Sequence, residues 1–412
     1  MKFFRRKKTK TNSKPKEKVF SCSSCGLYEN CISPRMKPYG NFKKEILNIA
    51  ESPGELEDSR GLPFQGRAGK LLQRTYKKLG IDLFEDCLNI NSVSCRPMNS
   101  NGENREPTNN EINNCRRRVL KVIEEYKPKM IILLGNAALI TVIGHRWKKD
   151  LGKITKWRGF TIPDQDFKAW ICPAFHPSYV LRNEGGIEEL VWEKDLKGAF
   201  DRIDAPLPQH REPKIEIIDD LSLLNYTTIG NIKARTVPSE IAFDIETTGL
   251  KPHAKGHEIV CAAIADSPEH AYVFMLPKTR KELKPLLDLL SNENINKVIA
   301  NSKFELTWCK VILRTDIKGH IDDTMIAAHI FDNRQGITGL KFQVYVCFGI
   351  IDYASEISPY LEGDKTNANS FNKIKELIAL PDGKEKLLKY NGYDAIYEFR
   401  LKLLQQTIMN LI

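Results

Sequence analysis

The sequence predicts two α/β domains in tandem, and three observations carry that reading. From Glu45 to Ile203, short apolar stretches of strand character alternate with stretches of helical period. Asp204 to Pro213 then holds three prolines in ten residues, has no apolar period, and reads as a semi-rigid linker. From Lys214 the alternation resumes and runs to a last helical segment carrying Tyr390 and Asp394. The predicted division is a basic arm over 1–20, a first domain over 21–203, the linker over 204–213 and a second domain over 214–412. A length of 412 residues suits two domains.

Hydrophobic residues make up 41% and charged residues 28%, the balance of a globular chain. No stretch reaches the about 18 apolar residues of a membrane span. The longest candidate, Met130 to Gly144, is interrupted by Gly135 and Asn136. No apolar signal core opens the chain, so a cytoplasmic protein is expected, with no membrane partner. Net charge is +11; residues 1–18 hold nine Lys/Arg and one acid, which leaves +3 for the rest. Such an arm suits nucleic-acid phosphates.

In the first domain, Cys22-Ser-Ser-Cys25 presents two thiols to one metal, a pattern shared by zinc and iron–sulfur sites. Cys31 follows, and Cys95 and Cys115 are the natural distant partners. Glu45–Ala50 is expected as a strand, Ala68–Leu79 as a helix, Cys87–Val93 as a strand and Thr108–Tyr126 as a helix. Met130–Gly135 is the next strand, Asn136–Ile143 a helix, Trp170–Phe175 a strand and Ile187–Ile203 a helix. That order argues for a three-layer sheet with its site at the strands' carboxyl ends. Loops rich in chemistry lie there: Ala50-Glu51-Ser52-Pro53-Gly54-Glu55-Leu56-Glu57-Asp58, Gly61-Leu-Pro-Phe64-Gln-Gly66-Arg-Ala-Gly69, Asn91-Ser-Val-Ser-Cys95-Arg-Pro, Ile154-Thr-Lys-Trp-Arg158-Gly159 and Phe175-His176-Pro177-Ser178-Tyr179.

This set resembles the iron–sulfur uracil-DNA glycosylases of families 4 and 5, over roughly Cys22 to Asp201. The resemblance implies a [4Fe–4S] cluster on Cys22, Cys25, Cys95 and Cys115, with Cys31 as the alternative ligand. It implies that Phe64 stacks on a flipped-out base, that Asn91 reads the base edge, and that His176 stabilises the departing uracilate. A base buried in a duplex must be extruded before its glycosidic bond is reached. A donor at its carbonyl oxygen then stabilises the developing charge. Glu57 and Glu51 are the candidates to position water or steady the sugar cation, with Glu51 also at the base. The sequence departs from the family at Ala50, where Gly is expected, and at Ser52. The domain therefore either excises uracil or only grips DNA.

In the second domain, Glu240-Ile-Ala-Phe leads a buried strand into Asp244 and Glu246, two carboxylates two residues apart and so on one face. Crowded, desolvated acids imply a cation, and oxygen-only ligands imply Mg²⁺ or Mn²⁺. Lys214–Ile218 is an expected strand, Asp219–Leu224 a helix start, Ile259–Ile264 and Ala271–Met275 a hairpin, Lys281–Leu290 a helix and Lys297–Ala300 a strand. Asn301 opens a helix bearing Glu305, His320 to Met325 begins another, and Gly339-Leu340-Lys341 follows. Tyr390 and Asp394, four apart, share a helix face.

This constellation resembles the 3′–5′ proofreading exonucleases with a DEDD acidic set and a tyrosine, above all the exonuclease domain of family A DNA polymerases. A ribonuclease H-like fold is thereby implied over Lys214 to Ile412. Asp244, Glu246, Glu305 and Asp394 would hold two ions, Tyr390 would orient the attacking water, and Asp323 matches the acid of the family's Asp-Thr-Met segment. Glu305 stands where the family has Asp. The chain ends 18 residues after Asp394 (412 − 394). That is too short for a polymerase palm, so a separate DNA polymerase subunit is expected as partner, in a bacterial or phage-infected cytoplasm. The substrates expected are single-stranded 3′ ends and uracil-containing DNA.

Overall fold

The computed structural model describes residues 21–225, 227–229, 232–234, 239–364 and 366–410. The basic arm over 1–20 lies outside them. Among the described residues no helix is long and apolar enough to cross a membrane.

The first sheet contains β1 (Ile46–Ala50), β2 (Cys87–Asn91), β3 (Met130–Leu134), β4 (Ile162–Asp164) and β5 (Ala169–Ala174), in the order β2-β1-β3-β5-β4. All contacts are parallel except β4 with β5. Every residue of these strands is buried, as a sheet covered on both faces requires. The covering helices include Arg67–Lys78, Asn109–Tyr126 and Ile187–Phe200. The Asn109–Tyr126 helix starts at a capping box in which Thr108 and Glu111 satisfy each other's backbone N–H groups. The chain leaves β1 first toward β2 and later toward β3, so the sheet changes winding direction at β1. Loops after β1, β2 and β5 meet at the carboxyl end, where such folds open a crevice. Strand β4 was not expected from the sequence, and the helix at Asn136–Leu139 continues as a π-helical turn over Ile140–Gly144.

The second sheet is mixed. Its strands are β6 (Lys214–Ile217), β9 (Glu240–Thr247), β10 (Ile259–Ser267), β11 (His270–Met275), β12 (Asn296–Ile299) and β13 (Ile321–Asp323), in the order β13-β12-β9-β10-β11-β6. A separate hairpin, β7 (Thr227–Ile229) with β8 (Ile232–Ala234), lies between them in sequence. Strands β9, β10 and β11 are antiparallel neighbours, whereas β12 runs parallel to β9. Alternation along β9 divides its side chains between two cores. Ile241, Phe243 and Ile245 join Trp308 and Leu286 on one face. On the other face Ala242 packs in a core with Leu387 and Ile396 of the 27-residue helix Gly383–Met409. Asp244 and Glu246 point to this second face, half-buried. The stretch expected to begin a helix at His320 first forms β13, and the helix covers Thr324–Phe331.

The two halves share a core. Helix Leu340–Phe348 lies beyond the linker, yet its Phe342, Tyr345 and Val346 belong to the same buried cluster as β1, β3 and β5. Trp157 and Phe342 have ring centroids 4.8 Å apart. The Tyr345 hydroxyl donates to Asp164 Oδ2 at 2.9 Å, and Arg146 pairs with the same fully buried carboxylate at 2.7 Å. Arg334 donates to the carbonyls of Thr155 (3.1 Å) and Arg158 (2.8 Å).

Candidate active sites

The crevice of the first sheet is a cavity of ≈ 700 Å³. Glu51, Phe64, Asn91 and His176 all line it. Glu51 follows β1, and its carboxyl is pushed up to about 7 by burial and by Glu106, with Arg182 opposing. Asn91 ends β2 and is 8% exposed. Phe64 sits at φ 58°, a conformation rare for a bulky residue. Gly69 makes that loop feasible, because a Cβ there would lie 2.1 Å from the Phe64 carbonyl oxygen. His176 caps the helix Pro177–Arg182: the Ser178 N–H donates to its Nδ1 at 3.3 Å. The remaining ring proton is therefore on Nε2. Burial, with Arg182, drops this histidine to about 4, so it is neutral at pH 7. Gly135 gives the ring its room, since a Cβ there would come 2.9 Å from His176 Cβ.

Glu57 also borders the cavity, but its Oε1 accepts the N–H groups of Gln65 (2.9 Å) and Gly66 (2.8 Å). Its neighbour Asp58, 1% exposed, accepts from Ile32 (3.1 Å) and Ser33 (2.9 Å). These acids tie loops together.

Five thiols converge beside this loop. The short helix Cys22–Cys25 is docked on the helix bearing Cys115 by hydrogen bonds from Ser21 N and Ser24 Oγ to Asn114 Oδ1, both 2.8 Å. Burial, then Glu111, Cys95 and Cys22, raise the Cys25 thiol. Cys115 is pushed up to about 11 by burial, with Cys25, Cys95 and Cys22 adding to it. Cys31 is pushed to about 11 by burial and by Cys95. Cys31 thus stands beside Cys95. A knot of unpaired thiols held near one another fits a soft-metal or iron–sulfur centre, which would deprotonate them.

The second pocket, ≈ 520 Å³, contains Asp244, Glu246, Glu305, Tyr390 and Asp394 together. Carboxylate oxygens of Asp244, Glu246 and Asp394 lie within 4.8 Å of one another. Burial and mutual repulsion raise Asp244 and Glu246 well above the carboxylate range. Asn391 donates to Asp244 Oδ2. Glu305, 3% exposed, is also raised well up by burial and Asp244, and its Oε2 has no hydrogen-bond partner among the described residues. That orphaned buried oxygen and the crowded acids fit divalent cations held by oxygen ligands. Burial, Asp394 and Glu246 keep Tyr390 a phenol.

Three residues here were not singled out from the sequence. Glu398 lines the pocket fully buried, and its carboxyl is raised by burial and by Asp244. It lies four residues beyond Asp394, so extending the Tyr390–Asp394 spacing by one turn finds it. Lys341 pairs with Asp394, donates to the Tyr353 hydroxyl at 3.0 Å and lies 4.3 Å from the Tyr390 ring centroid. Asn391 carries no motif signal. Asp323 does not line the pocket. It caps the Thr324–Phe331 helix and accepts from Ser302 N at 2.7 Å, which fixes the start of the helix bearing Glu305.

The comparisons with known proteins fall on these two halves. The uracil DNA glycosylase superfamily matches residues 37–197. The type-4 uracil-DNA glycosylase of Thermotoga maritima is 37% identical over 183 residues, which are 44% of this chain and 90% of that protein. The chain belongs to the uracil-DNA glycosylase superfamily. Its C-terminal half is a 3′–5′ exonuclease domain of the DNA polymerase A type, matched over 215–403. A DNA polymerase of Bacillus phage SP01 is 25% identical over 328 residues, 73% of this chain and 34% of that protein. A match of that length runs through both domains. Among solved structures, Brucella melitensis NrnC with bound Mg²⁺ has a TM-score of 0.30 at 20% identity, covering 47% of this chain and 78% of that one. Escherichia coli RNase D has a TM-score of 0.33 at 15% identity, covering 48% and 45%.

Proposed function

We propose that this chain shortens DNA from 3′ ends by metal-dependent phosphodiester hydrolysis, and that its glycosylase pocket excises uracil. The observation that carries the first activity is the cluster of Asp244, Glu246 and Asp394 on one face of β9 and the long helix. Mg²⁺ or Mn²⁺, when bound, would neutralise charge on the scissile phosphate and lower the pKa of the attacking water. Asp244, Glu246, Glu305 and Asp394 would hold the ions, with the buried Glu398 behind them. Asn391 orients Asp244. The Tyr390 hydroxyl, kept protonated, would position the water.

For the base pocket, His176 offers an Nε2–H that stays in place across neutral pH, suited to the carbonyl oxygen of a departing uracilate. Phe64 would hold the flipped ring, and Asn91 offers its edge both donor and acceptor. With Glu57 engaged by two backbone N–H groups, Glu51 is the carboxylate we assign to the water or the sugar cation. Uracil release should therefore fall about tenfold per pH unit below about 7 and level off above it, the Glu51 carboxylate being the active form. A pH–rate profile of Glu51→Gln should lose that limb along with most of the rate. An unchanged limb would remove Glu51 from the role. The second reading, a domain that grips DNA without excision, draws on Ala50 and Ser52 in the same loop. Matched oligonucleotides with and without uracil, with and without Mg²⁺, separate the readings. Excision gives alkali-labile sites at uracil without Mg²⁺, and the exonuclease gives Mg²⁺-dependent shortening in both.

The relatives' type and the five thiols support a [4Fe–4S] centre on Cys22, Cys25, Cys95 and Cys115, with Cys31 as alternative. Purified protein should be brown, and Cys95→Ser should lose that visible absorbance. A colourless, zinc-loaded protein would overturn the assignment. The phage polymerase match supports work beside a polymerase. Mixing with a polymerase encoded nearby should give co-elution and fewer misincorporations, and absence of both would remove that partner.

A further inference from the structure

The exonuclease pocket has a wall that the exonuclease domain does not make. Trp147, Lys149, Asp150 and Lys156 of the glycosylase domain line it, facing the carboxylates of β9 and the long helix. The wall is fixed in place. Trp147 and Trp157 pack on Phe342 and Tyr345, and Lys156 lies 5.2 Å from the Phe342 ring centroid. Trp147 is 7% exposed and spent in this packing, so it offers no stacking face to a base.

The two lysines are a different matter. Lys156 donates only to the Asp150 carbonyl, at 3.2 Å, and Lys149 makes no ion pair among the described residues. Yet Lys149 feels Lys341, Asp394 and Glu362, which puts it within electrostatic reach of the site. Partial desolvation lowers both ammonium groups, Lys149 keeping an exposed side. An incoming phosphate would restore them. A strand whose 3′ end lies among the carboxylates must carry its next phosphates past one wall or another, and among the described residues lining the pocket Lys149 and Lys156 carry positive charge with no carboxylate in an ion pair.

We propose that Lys149 and Lys156 of the glycosylase domain hold backbone phosphates of the strand entering the exonuclease site, so that the nuclease site is complete only with the glycosylase domain in place. This rests on the exonuclease reading above. The test uses the full chain and a 5′-labelled single-stranded oligonucleotide, with binding followed by anisotropy in Ca²⁺ and shortening followed in Mg²⁺. The double variant Lys149→Gln/Lys156→Gln should raise both Kd and KM about tenfold with little change in kcat. It should also flatten the log–log salt dependence of binding by about 1.4, at about 0.7 per lost phosphate contact. Lys153→Gln, an exposed lysine outside the pocket, should change neither. An unshifted melting temperature shows that the double variant is folded. Unchanged Kd, KM and salt slope would overturn the proposal while leaving the nuclease standing. Lysine-dependent binding by a wild-type chain that never shortens DNA would instead remove the exonuclease reading and keep the phosphate wall.

Discussion

Asp244→Ala is expected to lower Mg²⁺-dependent 3′ shortening by on the order of 10³-fold, roughly 4 kcal/mol in barrier. Residues that merely orient metal ligands cost about 10–100-fold when removed. Asp244 sits in the acid cluster itself, beside Glu246 and Asp394. The loss should not come from unfolding. Burial and Asp394 already hold its carboxyl well above the usual range, so removing it relieves a repulsion. The variant should melt no lower than wild type without metal, and should lose the upward shift that Mn²⁺ gives the wild type. Shortening within tenfold of wild type, or a retained Mn²⁺ shift, would take Asp244 out of the metal site. Uracil release in the same preparation should be untouched, since Asp244 lies in the other pocket.

The second large effect concerns the joint between the domains. Tyr345→Ala is expected to destabilise the whole chain by roughly 4 kcal/mol, the range for truncating a large buried ring. Tyr345 is fully buried, and its hydroxyl shares Asp164 with Arg146. Tyr345→Phe keeps the ring and removes the hydrogen bond, which should cost about 1–3 kcal/mol because the acceptor is a buried carboxylate. Urea unfolding followed by two signals, one from each domain, should show a single transition in wild type. In Tyr345→Ala both signals should shift together. Two separate transitions, with only the exonuclease one displaced, would mean that the shared core does not couple the domains.

The sheets were legible because their strands are buried runs between helical stretches. The acid pair of β9 was legible from its two-residue spacing, and Tyr390 with Asp394 from a four-residue one. The helix Leu340–Phe348 was not. Phe342 and Tyr345 face the glycosylase core while Val344 packs with Tyr397 and Leu401 of the long helix. A helix buried on opposite sides has no polar face, so its period is silent. With that helix went the shared core. Asp323 shows another limit: an acid that caps two helix starts and an acid that holds a metal are the same letter, and only its four backbone N–H partners tell them apart. Glu57 was ambiguous for the same reason.

Glu57 and Asp58 are adjacent and reach in opposite directions. One grips Gln65 and Gly66, next to Phe64, and the other grips Ile32 and Ser33, next to Cys31. A single turn of chain therefore rivets the thiol-bearing loop to the floor of the base pocket. A shift in the thiol-bearing loop would reach the pocket through these four hydrogen bonds, without a change at Phe64, Asn91 or His176.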